Sequence, residues 1–405
     1  MNRQSPRVQW IQLIVLSSIH FLVDMFGNML PAILPVIRAD FAITLSTAGF
    51  IMAALSFASN GMQILTGRMR ADKTSPLFLH MGLILAATIC LIFLAPRSLG
   101  GVALLFVFGV VSGSGIAVAH PEGLRAIHTL DRIAPALSTA VFMTSGFFGF
   151  ASGGMISALL VSSYGLKGLC PLVVCPIAAI AALFVARVHL SIEETGPTGN
   201  GGRSQPEPGA LPFWMVLGIG LPAAVSTTVI QQLTPTYLDE LGFGLTFGGF
   251  STALFGWGGG FGPFVWAAIA HRKGGLTSST WAFFASFPFT VLYLLFVRHS
   301  AAPWLLFGTG FSAMSAYILT ITLARHAYGV SLGLRMALIV GGTWGIAMIV
   351  FLMLAPIADR VGTGPVLWLT PAGYLMSGLL GLWMLRRYPE AEKYRRATPA
   401  LEPST

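Results

Sequence analysis

Residues Trp10 to Arg38 read WIQLIVLSSIHFLVDMFGNMLPAILPVIR. As a helix this stretch extends roughly 43 Å, enough for the hydrocarbon core of a bilayer and both headgroup layers. Asp24 is its midpoint. An ionised carboxylate at that depth costs about 2.5–3.5 kcal/mol on insertion scales, so a chain keeps one where the charge is used. Asp24 is therefore the first candidate for a proton- or ion-coupling site. His20 lies one helical turn earlier on the same face and can share that proton or hold the carboxylate. Asn28, a turn later, extends the polar stripe. The plainer role for all three is a hydrogen bond between packed helices.

The composition carries the same signal along the whole chain. Of 405 residues 55% are hydrophobic and 9% charged, with mean hydropathy +0.78. A soluble domain of this length cannot cover so much apolar surface, which predicts an all-α polytopic membrane protein. Twelve spans are expected, near 10–37, 46–66, 77–95, 101–120, 135–160, 168–188, 212–234, 246–269, 279–297, 303–322, 334–358 and 366–385. The first apolar run is too long for a secretory signal and has no small-residue cleavage site. Cys90, Cys170 and Cys175 lie in apolar segments at no ligand spacing, as buried small hydrophobes do.

Glu193 to Leu211 is rich in Gly, Pro, Ser and Thr and lacks apolar periodicity, so it is expected to be a flexible linker. The chain then divides into a six-helix bundle at 1–190, the linker at 191–211, a second bundle at 212–388 and a tail at 389–405. At an offset of 200 residues Pro35 meets Pro235, Leu45 meets Leu245, Gly49-Phe50 meets Gly249-Phe250, and Lys73 meets Lys273. Two pseudo-symmetric six-helix halves place a substrate site near the membrane midplane between them. Clusters at Gly146, Gly149, Gly153 and Gly154, and at Gly256, Gly258, Gly259, Gly260 and Gly262, allow close helix approach, for static packing or for sliding.

The net charge of +9 suggests nucleic acid until the basic residues are placed. Of 23 lysines and arginines, Arg38, Arg97, Lys167, Arg298 and Arg360 fall on one side, and the other 18 share the side that holds both termini. This is the positive-inside bias, which puts the termini in the cytoplasm and removes the nucleic-acid reading.

Further polar residues lie within or beside the spans. His120-Pro121-Glu122 ends the fourth span, with Pro121 expected to kink it and Arg125 placed to pair with Glu122. The plain reading is an interfacial salt bridge. The functional one gives Glu122 a proton, and His120 or Arg125 an anionic substrate. Gln231 and Gln232, near Tyr237, are interhelical or substrate contacts, and Tyr317, Trp257 and Trp344 are expected to form an aromatic cavity wall. Trp10, Trp214, Trp304 and Trp383 suit interfacial anchoring. No phosphate-binding loop, no nucleophile elbow and no metal spacing among His80, His128, His189, His271 and His299 is found, so neither an enzyme nor an ATP-driven pump is expected.

Six plus six helices with a cytoplasmic linker resemble the major facilitator superfamily over nearly the whole chain. The loop Gly67-Arg68-Met69-Arg70-Ala71-Asp72-Lys73 looks like that superfamily's cytoplasmic Gly/Asp/Arg motif, with one extra residue between Gly67 and Asp72. Its second copy, Ile269-Ala270-His271-Arg272-Lys273-Gly274, has His271 where the family usually shows Asp. The resemblance implies gating roles for Gly67, Asp72, Lys73, His271 and Arg272. Within the superfamily, His20-x-x-x-Asp24 and His120-Pro121-Glu122-x-x-Arg125 look like the fosmidomycin-resistance group of exporters. The Gly-rich fifth span resembles an antiporter motif but lacks its usual Gly-Pro pair after Gly149. These likenesses imply a monomeric drug/metabolite:H+ antiporter of the bacterial inner membrane, without cofactor or metal, exporting a small polar or anionic compound by alternating access. Asp24, His20 and Glu122 are the protonation candidates. Related subgroups import siderophores or organic acids, so a proton-coupled importer is the alternative. A non-transporting membrane sensor is the alternative from another class.

Overall fold

The computed structural model describes residues 5–69, 72–191 and 210–389, apart from the side chains of residues 64–69, 136 and 332. The expected linker and tail lie almost wholly outside these residues, as do Arg70 and Ala71 of the loop motif. Besides one isolated bridge between Pro212 and Tyr328, the described residues form helices and their connections. The α-helices are α1 (Pro6–Gly27), α2 (Leu30–Phe41), α3 (Leu45–Met69), α4 (Leu77–Ala86), α5 (Leu99–Ile127), α6 (Pro135–Tyr164) and α7 (Val174–Ala186). They continue with α8 (Phe213–Glu240), α9 (Leu245–Lys273), α10 (Gly275–Leu295), α11 (Pro303–Arg325), α12 (Leu332–Met336), α13 (Thr343–Val361), α14 (Thr363–Leu367) and α15 (Thr370–Arg387).

Among the described residues, ten helical stretches are long and apolar enough to cross a bilayer. One of them, 137–186, has 50 residues, sufficient for two crossings. It is broken after α6 at Gly165, where φ is +63°, a conformation that favours a residue without Cβ. Counting that stretch as two and adding the 25-residue α3 is consistent with the twelve spans read from the sequence.

One boundary differs from expectation. The sequence ends the fourth span at His120, yet α5 runs through Pro121 to Ile127. Proline removes one backbone donor, and the turn after it is held from outside the helix. Glu122 Oε2 accepts the Leu79 N–H at 2.9 Å, while Arg125 donates from Nη2 to the Lys73 carbonyl at 2.6 Å and from Nε to the Ser191 carbonyl at 2.9 Å. Both side chains are buried.

The described residues fall into two compact units, one drawn from 1–196, 231–256 and 352–363, the other from 197–230, 257–351 and 364–405. In the first, α1 packs along α6 and α5, and α5 along α3 and α4. In the second, α10 packs on α11 and α15, with hydroxyl pairs such as Thr227–Tyr374 at 3.0 Å and Thr290–Thr309 at 3.3 Å buried between helices. The apolar side chains left on the outside, among them Phe184, Val185, Trp281 and Met353, suit a lipid environment.

Candidate functional site

The close packing of α6 on α1 comes first, because it positions the site. A Cβ at Gly149 would lie 2.0 Å from the Phe21 carbonyl oxygen, and one at Gly153 2.3 Å from that of Met25. Glycine at both positions lets the two backbones touch. One turn before Gly149, a Cβ at Gly146 would meet not backbone but the ends of two side chains, His20 and Asp24.

Those side chains form a cluster with a third residue from α5. His20 Nε2 is 3.3 Å from Asp24 Oδ2, and His120 Nε2 is 3.0 Å from Asp24 Oδ1. The imidazoles meet edge to face at 5.0 Å, and Phe142 of α6 stacks on His20 at 4.2 Å. His20 is buried at 4% side-chain exposure, while Asp24 and His120 keep 21% and 19%. The cluster is therefore closed on one side and reachable on the other.

The tautomers follow from the remaining ring nitrogens. His20 Nδ1 lies 2.7 Å from the Phe142 carbonyl and His120 Nδ1 2.8 Å from that of Ile116. A carbonyl only accepts, so both Nδ1 atoms carry hydrogen and both Nε2 atoms face the carboxylate. Each Nε2···O contact is attractive when a proton lies within it and sets lone pair against lone pair when none does. The cluster thus accommodates up to two bridging protons and takes a charge of −1, 0 or +1 according to how many it holds.

The other sequence candidates are distributed differently. Glu122 is not among the groups that converge here; it accepts from Leu79, and with Arg125 it ties α5 to neighbouring backbone. Asn28 donates to the Phe150 carbonyl at 2.9 Å, fixing the break between α1 and α2 against α6. Gln231, Gln232 and Tyr237 are half-buried in the part of α8 that belongs to the first unit. In the second unit Tyr317 and Trp344 do meet, edge to face at 5.0 Å. The Tyr317 hydroxyl donates to the Ile339 carbonyl at 3.0 Å, inside the π-helical turn Ala337–Gly342. Trp257 is half-buried in α9 of that unit. Of the gating candidates, Gly67 lies within α3, Asp72 and Lys73 form an exposed pair at 2.7 Å, and His271 and Arg272 are exposed in the last turn of α9.

The roles of three residues went unnoticed in sequence. Gly146 was legible as one member of a small-residue run, but its place against Asp24 was not. Phe142 acts through its carbonyl and ring, which no motif records. Asp359, near the end of α13, accepts the N–H groups of Leu45 and Ser46 at 2.8 and 2.9 Å and caps the start of α3.

The Major Facilitator Superfamily profile matches residues 16–328. The fosmidomycin resistance protein of Escherichia coli (strain K12) is 26% identical over 164 residues, 40% of this chain and 40% of that protein. The uncharacterized MFS-type transporter YfnC of Bacillus subtilis (strain 168) is 26% identical over 174 residues, 43% of this chain and 41% of that one. The chain thus matches well under half the length of either relative. Among solved structures, a bacterial homologue of the human lysosomal transporter Spinster, inward-facing and occupied, aligns with TM-score 0.72 at 14% identity, over 98% of this chain and 100% of that one. Its inward-facing, unoccupied form gives 0.69 at 15% identity with the same coverage.

Proposed function

We propose, from the premise that this chain belongs to the Major Facilitator Superfamily, that it is a proton-coupled antiporter exporting a small polar or anionic compound across the bacterial inner membrane. The observation that carries this reading is the His20–Asp24–His120 cluster, three ionisable side chains joined across two candidate spans. Ionisable groups within spans mark ion and proton pathways by default. The partial likeness to a fosmidomycin resistance protein favours export over import.

In the proposed cycle, a proton from outside enters one Nε2···O contact and changes the cluster's charge by one unit, weakening the hold on cargo. Its release to the cytoplasm resets the carrier. About 2.3 kcal/mol is available per charge per 100 mV of membrane potential, before any pH difference. The two six-helix halves, 1–190 and 212–388, alternate access around the site as a monomer, with both termini cytoplasmic. Asp72, Lys73, His271 and Arg272 serve the cytoplasmic gate. No catalytic step is part of this reading.

The test is fosmidomycin tolerance of an efflux-deficient bacterium expressing the wild type or Asp24→Asn at matched membrane levels. Protection by the wild type alone supports proton-coupled export of a phosphonate through Asp24. Equal protection by both removes Asp24 from the coupling. Raised sensitivity with the wild type turns the reading to import, and no flux of any kind in liposomes turns it to a sensor.

A further inference from the structure

We propose that His20, Asp24 and His120 form a binding site for a divalent transition-metal ion. The donor atoms of these three side chains all lie within 4.8 Å of one another. The two contacts to the carboxylate are 3.3 and 3.0 Å. An ion about 2.0–2.2 Å from each ligand atom separates pairs of ligands by roughly 3.0–4.2 Å, so rotation of side chains alone brings the three into range.

The surroundings of the imidazoles are those of metal ligands. In metal sites a ligating histidine almost always gives its other ring N–H to a carbonyl, carboxylate or water, which fixes ring and tautomer. Both histidines do this here, His20 with the Phe142 carbonyl and His120 with that of Ile116. Their Nε2 atoms are thereby turned to the carboxylate, His20 towards Oδ2 and His120 towards Oδ1. His20 and Asp24, four residues apart on α1, make a chelate from a single helix turn, and α5 supplies the third ligand.

Space is provided as well. A Cβ at Gly146 would stand 2.5 Å from His20 Nε2 and 2.6 Å from Asp24 Oδ2, on top of the donors, and glycine leaves that volume free. The partial exposure of Asp24 and His120 leaves coordination positions open on the reachable side. Two imidazole nitrogens with one carboxylate oxygen suit borderline ions such as zinc, cobalt or nickel, not magnesium or calcium, which prefer oxygen donors throughout. Three protein ligands leave one position open in a tetrahedral ion and three in an octahedral one. An anionic chelating compound can take those positions.

This rests on the transport reading and gives its polar or anionic cargo a chemistry, an anionic chelator holding a divalent ion, with the bare ion as the cargo that would replace it. Binding itself needs no transport. The experiment titrates the purified full-length protein in detergent with cobalt chloride and reads ligand-field absorption and stoichiometry. One ion per chain is expected, with affinity reduced at least about tenfold in Asp24→Asn and in His120→Gln. His299→Ala, far along the chain and outside the cluster, should match the wild type. His120→Gln keeps a polar side chain, and thermal unfolding reports whether each variant is folded. Adding acetohydroxamate then separates the sources. A shifted spectrum assigns the chelated ion and an unshifted one the bare ion, the proposal standing in both cases. Absence of cobalt binding to the wild type, or equal binding to folded Asp24→Asn and His120→Gln, overturns it. Because the absorbance is read without a gradient, a protein that binds cobalt but moves nothing would sink only the transport reading.

Discussion

Two neighbouring glycines on α6 separate the packing of the fold from the function of its site. A methyl at Gly149 would lie 2.0 Å from the Phe21 carbonyl oxygen and 2.7 Å from the Phe21 Cα and carbonyl carbon. All three are backbone atoms and cannot rotate away. An ordinary contact begins at about 3.4 Å, so α1 must retreat from α6 by roughly 1.4 Å. That retreat stretches the His20–Phe142 hydrogen bond from 2.7 Å to beyond its useful range. Overpacking costs about 1–3 kcal/mol, and the lost hydrogen bond about 1 more. A methyl at Gly146 meets only His20 Cε1 and Nε2 and Asp24 Oδ2, at 2.4–2.6 Å. These side chains can turn aside, but only by parting from each other. Gly149→Ala should therefore lower the thermal midpoint in detergent, while Gly146→Ala should stay near the wild type and still lose most fosmidomycin protection at matched expression. Full protection by Gly146→Ala, or equal loss of stability in the two variants, would refute this account of the cluster.

Substitutions at two further residues probe roles that the sequence did not settle. Glu122→Gln keeps an oxygen for the Leu79 N–H and should retain protection, whereas Glu122→Ala should destabilise the protein by about 1–3 kcal/mol by leaving that buried donor unpaired; failure of Gln as complete as that of Ala would make Glu122 a proton carrier. Asp359→Asn has one oxygen where two now accept from Leu45 and Ser46, so those amides should exchange hydrogen about tenfold faster, a loss of about 1.4 kcal/mol; unchanged exchange would mean that the cap contributes nothing to the start of α3.

The membrane class was legible, and the expected twelve spans are consistent with the helices, because lipid leaves few choices: each crossing must be long, apolar and helical, and Trp10 to Arg38 says so in one line. The intrahelical pair His20–Asp24 was equally legible, since four residues return a helix to the same face. His120 was harder. Its distance from Asp24 depends on how α5 lies beside α1, and local spacing carries none of that. The sequence therefore grouped His120 with Glu122 and Arg125, its neighbours in the chain. In the structure Pro121 stands within a helix that continues, with His120 against Asp24 and Glu122 against Leu79.

His20 and Asp24 belong to α1, His120 to α5, and the Phe142 carbonyl that orients His20 to α6. The Asp24–His120 contact, which joins α1 to α5, changes from attraction to repulsion when its proton leaves, so protonation there alters the force between the two helices, whereas the His20–Asp24 contact lies within α1. The hydrogen bond to Phe142 meanwhile keeps α1 registered on α6. A single carboxylate alone in a span would change charge without pulling on any neighbour. A carboxylate shared by two imidazoles on different helices changes charge and helix contact together, which is what coupling an ion to a moving carrier requires.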